Sequence, residues 1–348
     1  MNRKIMFLKN MTPAFRFVPY GSQFEPKNDT LVLDVGMKTV PGIIDHHHPD
    51  AEPECTASLI VKHPSLVLSH IQWDKIENLQ IITHRRPDFD AVTSAYLALK
   101  LLEQGGVDPA MEKIARFAKM VDSASLPKDW DLPSTPYAIL RALFLKIRKK
   151  NSEAYFARMR TGMRFIHFLH NSIMKGYEIF QNRSLFSGIE RYEQAIKKAE
   201  EDYFDYLHDL ARCQTISLDL PLVSGREKKN VDGLVVKNPR SYLFKDWARR
   251  DISHSPRKQG FSFLMTNFGN ARYILGVDPD MGIYLKGLGD LLNQKEKQQR
   301  KREDRPWAQK WYDGNCPLFN FRIIDSPQDS SSLSHQAIVE AIREFSQS

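Results

Sequence analysis

Short apolar runs and helical stripes alternate along this 348-residue chain and divide it into three stretches. In the first, to about residue 135, residues 30–34 (Thr-Leu-Val-Leu-Asp), 42–45 (Gly-Ile-Ile-Asp) and 79–83 (Leu-Gln-Ile-Ile-Thr) read as buried strands that end in polar residues. The segment opening at Ala91 is amphipathic and stops at Gly105-Gly106, as a helix with a glycine C-cap does. Strands alternating with helices predict an α/β domain built on a parallel sheet. Pro127, Pro133 and Pro136 mark its end.

From about 136 to 213 the pattern is helical. Phe156, Met159, Met163, Ile166, Leu169 and Ile173 form one stripe, and Tyr192, Ile196, Ala199, Tyr203, Tyr206 and Leu210 form another. Such stripes are packing surfaces. His167, His170 and His208 have no carboxylate at a metal-binding interval and read as packing or surface histidines. The stretch 214–348 returns to mixed α+β character, with strands expected near 216–220, 234–236, 261–265 and 273–277 and a helix entered through the glycines of 282–289. The expected organisation is therefore 1–135, an α/β domain; 136–213, a helical connector or bundle; and 214–348, an α+β domain.

An apolar content of 42% is ordinary globular material, and no run is long enough to span a bilayer. The basic residues 1–9 flank an apolar stretch too short for a secretory signal. Three unclustered cysteines favour neither a disulfide framework nor a thiolate zinc site, so a reducing cytoplasm is the simplest inference. The formal charge of +8 and a pI near 9.2 favour an anionic partner. The densest basic run, 295–302, lacks interleaved aromatic residues and reads as a solvated face rather than a nucleic-acid tract.

The chemistry lies at the strand ends. Asp34, then Asp45-His46-His47-His48, then His84-Arg85-Arg86-Pro87-Asp88-Phe89-Asp90 each follow an apolar run. Ligands of open parallel sheets bind beyond the carboxyl ends of the strands, so these residues are expected to form one site. The competing reading is a polar turn whose Asp90 caps the helix from Ala91. At about 5% usage per residue type, the four fixed positions of His-x-x-Pro-Asp-x-Asp arise by chance in roughly one chain of this length in several hundred. Metal ligation is the better reading.

These residues resemble the DHH phosphoesterase superfamily, whose members include manganese-dependent pyrophosphatases, exopolyphosphatases, phosphodiesterases of cyclic dinucleotides and short oligonucleotides, and a single-strand exonuclease. His84, Pro87, Asp88 and Asp90 match its His-x-x-Pro-Asp-x-Asp element, and Asp45, His46 and His47 match its Asp-His-His triplet. The resemblance covers about the first 130 residues, with the triplet preceding the other element instead of following it. It implies that Asp34 bridges two metals, that His46 is a ligand, and that His47 faces the substrate phosphate. It also implies a further carboxylate, for which Asp122 is the candidate and Asp325 the competitor. The family's Gly-Gly-Gly-His loop is absent.

The expected ligands are thus Asp34, Asp45, His46, His84, Asp88, Asp90 and Asp122. Such a set exceeds the needs of one ion, and a carboxylate bridging two ions about 3.5–4 Å apart suits in-line displacement at phosphorus. Mixed imidazole and carboxylate ligation favours manganese, iron, cobalt or zinc over magnesium, and the resemblance tips the choice to two Mn²⁺ ions, with Mg²⁺, Co²⁺ and Zn²⁺ as alternatives. His47 or His48 would hold a phosphate oxygen or protonate the leaving oxygen. Arg85, Arg86, Lys245, Arg249 and Arg272 are the candidate phosphate-binding cations, and of the last three, from the C-terminal domain, at least one is expected to face the metals. The expected function is hydrolysis of a phosphoester or phosphoanhydride in a small phosphorylated or nucleotide substrate. A single-strand nuclease and a non-catalytic nucleotide or phosphate sensor are the alternatives, and a homo-oligomer stays open.

Overall fold

The computed structural model describes residues 13–147, 149, 151–178, 180, 188–225, 227–304, 309–328 and 330–348; the basic residues 1–9 lie outside them. The chain is α/β, in two compact units: Met1–Ala199 with Cys316–Leu318, and Glu200–Asn315 with Phe319–Ser348. The helical stretch 136–213 is shared between them, its residues to 199 belonging to the first unit.

The first unit carries β1 (Ala14–Val18), β2 (Thr30–Leu33), β3 (Thr39–Val40), β4 (Ile43–Ile44) and β5 (Gln80–His84), in the sheet order β1-β5-β2-β4-β3. β1, β5, β2 and β4 run parallel, and β3 pairs antiparallel with β4 at the edge. Every residue of β2 is buried, as a parallel strand covered on both faces requires. Val18, Val32, Val35, Ile43 and Ile82 form a cluster on one face. By alternation Leu31 and Leu33 point to the other, where the helices α1 (Thr56–Lys62) and α3 (Phe89–Gln104) lie. Between these helices comes the short α2 (Ser65–Leu68).

Three further helices lie in this unit: α4 (Pro109–Asp122), α5 (Pro136–Leu145) and α6 (Ser152–Met174). α3 begins where the Asp88 side chain accepts the Ala91 N–H, and it ends at Gly105 with φ +76°. α4 begins with Asp108 as cap and Pro109 in the first turn, where the missing N–H costs nothing. α6 packs on α3, α4 and α5. At Gly162 the approach is close: a β-carbon there would sit 2.5 Å from Val92 Cγ1. His170 is buried, with Nε2 2.9 Å from Asp108 Oδ2, so it packs as expected.

α7 (Glu193–Leu210) carries the boundary between the units, and its Ile196, Ala199 and Tyr206 are buried. The second unit holds β6 (Gln214–Pro221), β7 (Lys228–Lys237), β8 (Phe263–Asn267), β9 (Tyr273–Val277) and β10 (Ile323–Asp325), with α8 (Phe244–Arg250), α9 (Leu288–Arg302) and α10 (His335–Gln347). Its sheet order is β10-β9-β8-β7-β6, antiparallel except for β7 against β8. Val231 and Val235 join the cluster that includes Leu288, Leu292 and Ile338, whereas Leu234 and Val236 pack with Tyr206, Phe244 and Phe261.

The basic run 295–302 is helical, but not wholly solvated. Arg300 is buried and its Nε lies 2.8 Å from Glu296 Oε1. Glu296 also accepts from Trp311 Nε1, the Ser331 hydroxyl and the Ser332 N–H, which offsets the desolvation of the pair. Among the described residues no helix is long and apolar enough to cross a membrane.

Candidate metal centre

The parallel register brings the polar strand ends to one edge of the first sheet. Leu33 is paired with Ile44, so Asp34 and Asp45 leave adjacent strands side by side. Thr30–Val32 of β2 pair with Gln80–Ile82 of β5, which ends at His84. Asp34 turns out of its strand at φ +60°, a conformation few residues other than glycine adopt but Asp tolerates.

Two ligand groups result, with Asp34 between them. On one side His84 Nε2 lies 3.2 Å from Asp34 Oδ2 and 3.7 Å from Asp88 Oδ1. On the other, His46 Nδ1 lies 3.6 Å from Asp34 Oδ1 and 3.9 Å from Asp90 Oδ2, while its Nε2 is 3.0 Å from Asp122 Oδ2. Asp34-His84-Asp88 and His46-Asp90-Asp122 each bring donor atoms within 4.8 Å of one another. The two oxygens of Asp34 thus face different groups. The chain matches no family model and no curated protein.

The imidazoles are oriented by their other nitrogens. His84 Nδ1–H donates to the Arg85 carbonyl at 2.9 Å, so in the neutral ring Nε2 carries the lone pair toward Asp34. Thr56 Oγ1 donates to Asp34 Oδ1 and accepts from His46 Nδ1, both at 3.2 Å, which turns His46 Nε2 toward Asp122. Asp90 does not cap its own helix. Its oxygens accept the N–H groups of Thr56 (2.9 Å) and Ala57 (3.0 Å), at the start of α1. Asp122 is the last residue of α4.

The electrostatics fit a bound cation. Burial, then the negative charges of Asp34 and Asp122, push the Asp90 carboxyl well above the usual range. Burial opposes a charged His84, but Asp88 and Asp34 hold its pKa well above normal. In turn, against the effect of burial, His84 depresses the Asp88 carboxyl. For His46, burial and His47 oppose the proton, yet Asp122 and Asp34 raise its pKa. Buried carboxylates and imidazoles that borrow protons from one another are a donor set suited to divalent metal, whose charge would replace those protons.

Asp45, expected as a ligand, does cluster with Asp34, His46 and His47. Its oxygens are nevertheless engaged. Oδ2 accepts the Met37 N–H at 2.6 Å, and Oδ1 meets His47 Nδ1 at 2.7 Å and the His47 N–H at 3.2 Å. Burial opposes the His47 imidazolium, but Asp45 pushes its pKa up to about 10. Asp45 thus belongs to that donor cluster and also orients His47, just as Asp90 belongs to its own cluster while accepting the Thr56 and Ala57 N–H groups. His48 turns to Thr39 Oγ1, 3.3 Å away, and belongs to neither ligand group.

Arg85 and Arg86 are exposed in the loop between His84 and Asp88. In the second unit Lys245 and Arg272 are exposed, whereas Arg249 is buried and donates from Nη2 to the Val277 carbonyl at 2.8 Å. Asp325 lies in β10, where its backbone pairs with Tyr312, and the carboxylate brought to His46 is that of Asp122.

Two site residues escaped the sequence reading. Thr56, at the start of α1, links Asp34 to His46. Tyr20 follows β1, whose Val18 is paired with His84. Its ring stacks on His84 with centroids 4.2 Å apart, and its hydroxyl is 3.0 Å from His84 Nε2. The alternation Ala-Phe-Arg-Phe-Val before Pro19-Tyr20 is the signal that marks this strand.

Proposed function

We propose that the chain is a metal-dependent phosphohydrolase of the DHH type, acting on a phosphoester or phosphoanhydride bond of a small phosphorylated or nucleotide substrate. The observation that carries this reading is Asp34, whose oxygens face two separate groups of metal-binding side chains. Asp34, His84 and Asp88 would hold one divalent ion, and Asp34, His46, Asp90 and Asp122 the other. Bound there, a pair of ions, manganese by the resemblance, supplies positive charge against phosphoryl oxygens and acidifies water toward neutral pH.

The side chains do the rest. His47 is anchored through Nδ1 to Asp45, and its Nε2 would meet the substrate. As an imidazolium it donates to a phosphate oxygen and returns a proton to the leaving oxygen. Tyr20 stands edge-on to His47, with ring centroids 5.9 Å apart. Thr56 fixes the lone pairs of Asp34 and the ring plane of His46.

The test is turnover by the full chain with Mn²⁺ on pyrophosphate, polyphosphate, cyclic dinucleotides, linear dinucleotides and single-stranded oligonucleotides. Hydrolysis of a small substrate that ends on chelation is expected. Cleavage confined to long single strands favours the nuclease, and tight binding without turnover by the metal-loaded chain favours the sensor. Either result overturns the small-substrate reading.

A further inference from the structure

We propose that Tyr20 is a further catalytic residue: its hydroxyl donates a hydrogen bond to a non-bridging oxygen of the scissile phosphoryl group, beside the Asp34-His84-Asp88 group. The proposal deepens the hydrolase reading and rests on it for the presence of that phosphoryl group.

Tyr20 is carried to the site by a strand and a closed turn. β1 runs parallel to β5 with Val18 opposite His84, and the Arg85 N–H is tied to the Val18 carbonyl at 2.8 Å. The chain then turns through Pro19-Tyr20-Gly21-Ser22, with Gly21 at φ +75°, the conformation that the third residue of a type II turn requires. The Ser22 N–H reaches the Pro19 carbonyl at 3.3 Å, and the Ser22 hydroxyl donates to the same oxygen at 2.7 Å. Both ties close the turn from which Tyr20 projects.

The setting of the ring decides what the hydroxyl can do. The Tyr20 and His84 rings are 20° from parallel, with centroids 4.2 Å apart. Rings stacked in this way put the hydroxyl, 3.0 Å from Nε2, over the face of the imidazole and not along its in-plane lone pair. Asp34 Oδ2, 3.2 Å from the same nitrogen, takes the in-plane direction, which is the one a metal on Nε2 requires. The phenol therefore leaves that lone pair to the metal. It stands beside the ion's place as a hydrogen-bond donor and not as a ligand.

Stacking by itself needs no hydroxyl, because a phenylalanine ring would cover His84 equally well. Tyr20 is 41% exposed, whereas the His84 beneath it is 1% exposed, so the tyrosine borders both solvent and the buried group. The same ring stands edge-on to His47, the imidazole proposed to meet the phosphate. A phosphoryl group that contacts both His47 and the Asp34-His84-Asp88 group comes within reach of the Tyr20 hydroxyl. Donors aimed at phosphoryl oxygens stabilise the charge that the reaction redistributes over them.

The experiment is calorimetric titration of the Mn²⁺-loaded full chain, wild type and Y20F, with methylphosphonate, a phosphoryl probe that resists hydrolysis. Y20F keeps the stacked ring and is expected to bind the probe about tenfold more weakly, the scale of one hydrogen bond to a charged acceptor. Its manganese content and its midpoint in urea should match the wild type. Y20A, which loses the ring as well, should weaken the probe at least as much. Wild-type affinity in Y20F overturns the proposal, as does a loss confined to Y20A, which would assign Tyr20 to the packing of His84. Manganese loss in Y20F also overturns it, because the hydroxyl would then be a metal ligand, and so does a wild type that binds no methylphosphonate. Weakened probe binding by Y20F in a chain that turns over no substrate removes the hydrolase reading and leaves the Tyr20 contact. Turnover by the wild type with unchanged probe affinity in Y20F removes the contact only.

Discussion

Replacing Asp90 by Asn separates the two duties of this carboxylate. One is structural: its oxygens accept the Thr56 and Ala57 N–H groups at 2.9 and 3.0 Å, which anchors the start of α1 against α3. An Asn amide keeps one acceptor and turns its NH₂ toward the other N–H. A buried donor without a partner costs about 1–3 kcal/mol. The opposing effect is relief of repulsion from Asp34 and Asp122, which raises the Asp90 pKa after burial. The raised pKa means that protonation already relieves part of this repulsion in the metal-free protein, so the lost acceptor dominates. D90N is then expected to be about 1–2 kcal/mol less stable. The second duty appears with metal. An ion at a hundred times its dissociation constant stabilises the folded state by about 2.7 kcal/mol, and a hundredfold weaker site leaves about 0.4 kcal/mol. Urea denaturation followed by tryptophan fluorescence, with Mn²⁺ or with chelator, reads both. If D90N gains as much from Mn²⁺ as the wild type, Asp90 is not a ligand. Unchanged stability in chelator would remove its anchoring role.

His47→Ala should lower turnover by about 10²–10⁴-fold, the range of a general acid, with manganese content close to wild type; metal loss equal to that of His46→Ala would show the roles to be misassigned. Gly162→Ala should destabilise, because overpacking against Val92 costs about 1–3 kcal/mol and outweighs the gain of about 1 kcal/mol in helix propensity; a stabilised variant in thermal denaturation would contradict the close packing of α6 on α3. His47 also sets a pH dependence for the metal-free chain. Its folded pKa of about 10 lies above the unfolded value of about 6.5, so its contribution is fully present below the unfolded value and lost as pH rises through the folded one. Denaturation in chelator should lose stability across that window, and His47→Gln should flatten the profile; identical profiles would contradict the Asp45–His47 pairing.

The strand ends were legible because each apolar run stops abruptly at a carboxylate or imidazole, as at Leu33-Asp34, Ile44-Asp45 and Thr83-His84. In the second unit β9 falls on residues 273–277, where the apolar run placed it. The partners of side chains were harder to read. Capping at α3 is done by Asp88, not Asp90, because Asp90 reaches back to Thr56 and Ala57, more than thirty residues away. Glu296 and Arg300 have the spacing of an exposed helical pair, but partners distant in sequence, Trp311, Ser331 and Ser332, meet Glu296 where the pair is buried. Arg249 resembled a substrate cation but is tied to the Val277 carbonyl. Pro133 and Pro136, read as marking a boundary, open a 3₁₀ turn and α5, positions where a missing N–H costs nothing.

The most direct measurement of the central claim is manganese stoichiometry after dialysis of the purified full chain, in the wild type and in Asp34→Asn. The wild type should retain two ions per chain, and the variant should lose affinity for both, because one carboxylate faces both ligand groups. A wild type that binds none, or an Asp34→Asn variant that keeps both ions at wild-type affinity, would contradict the account.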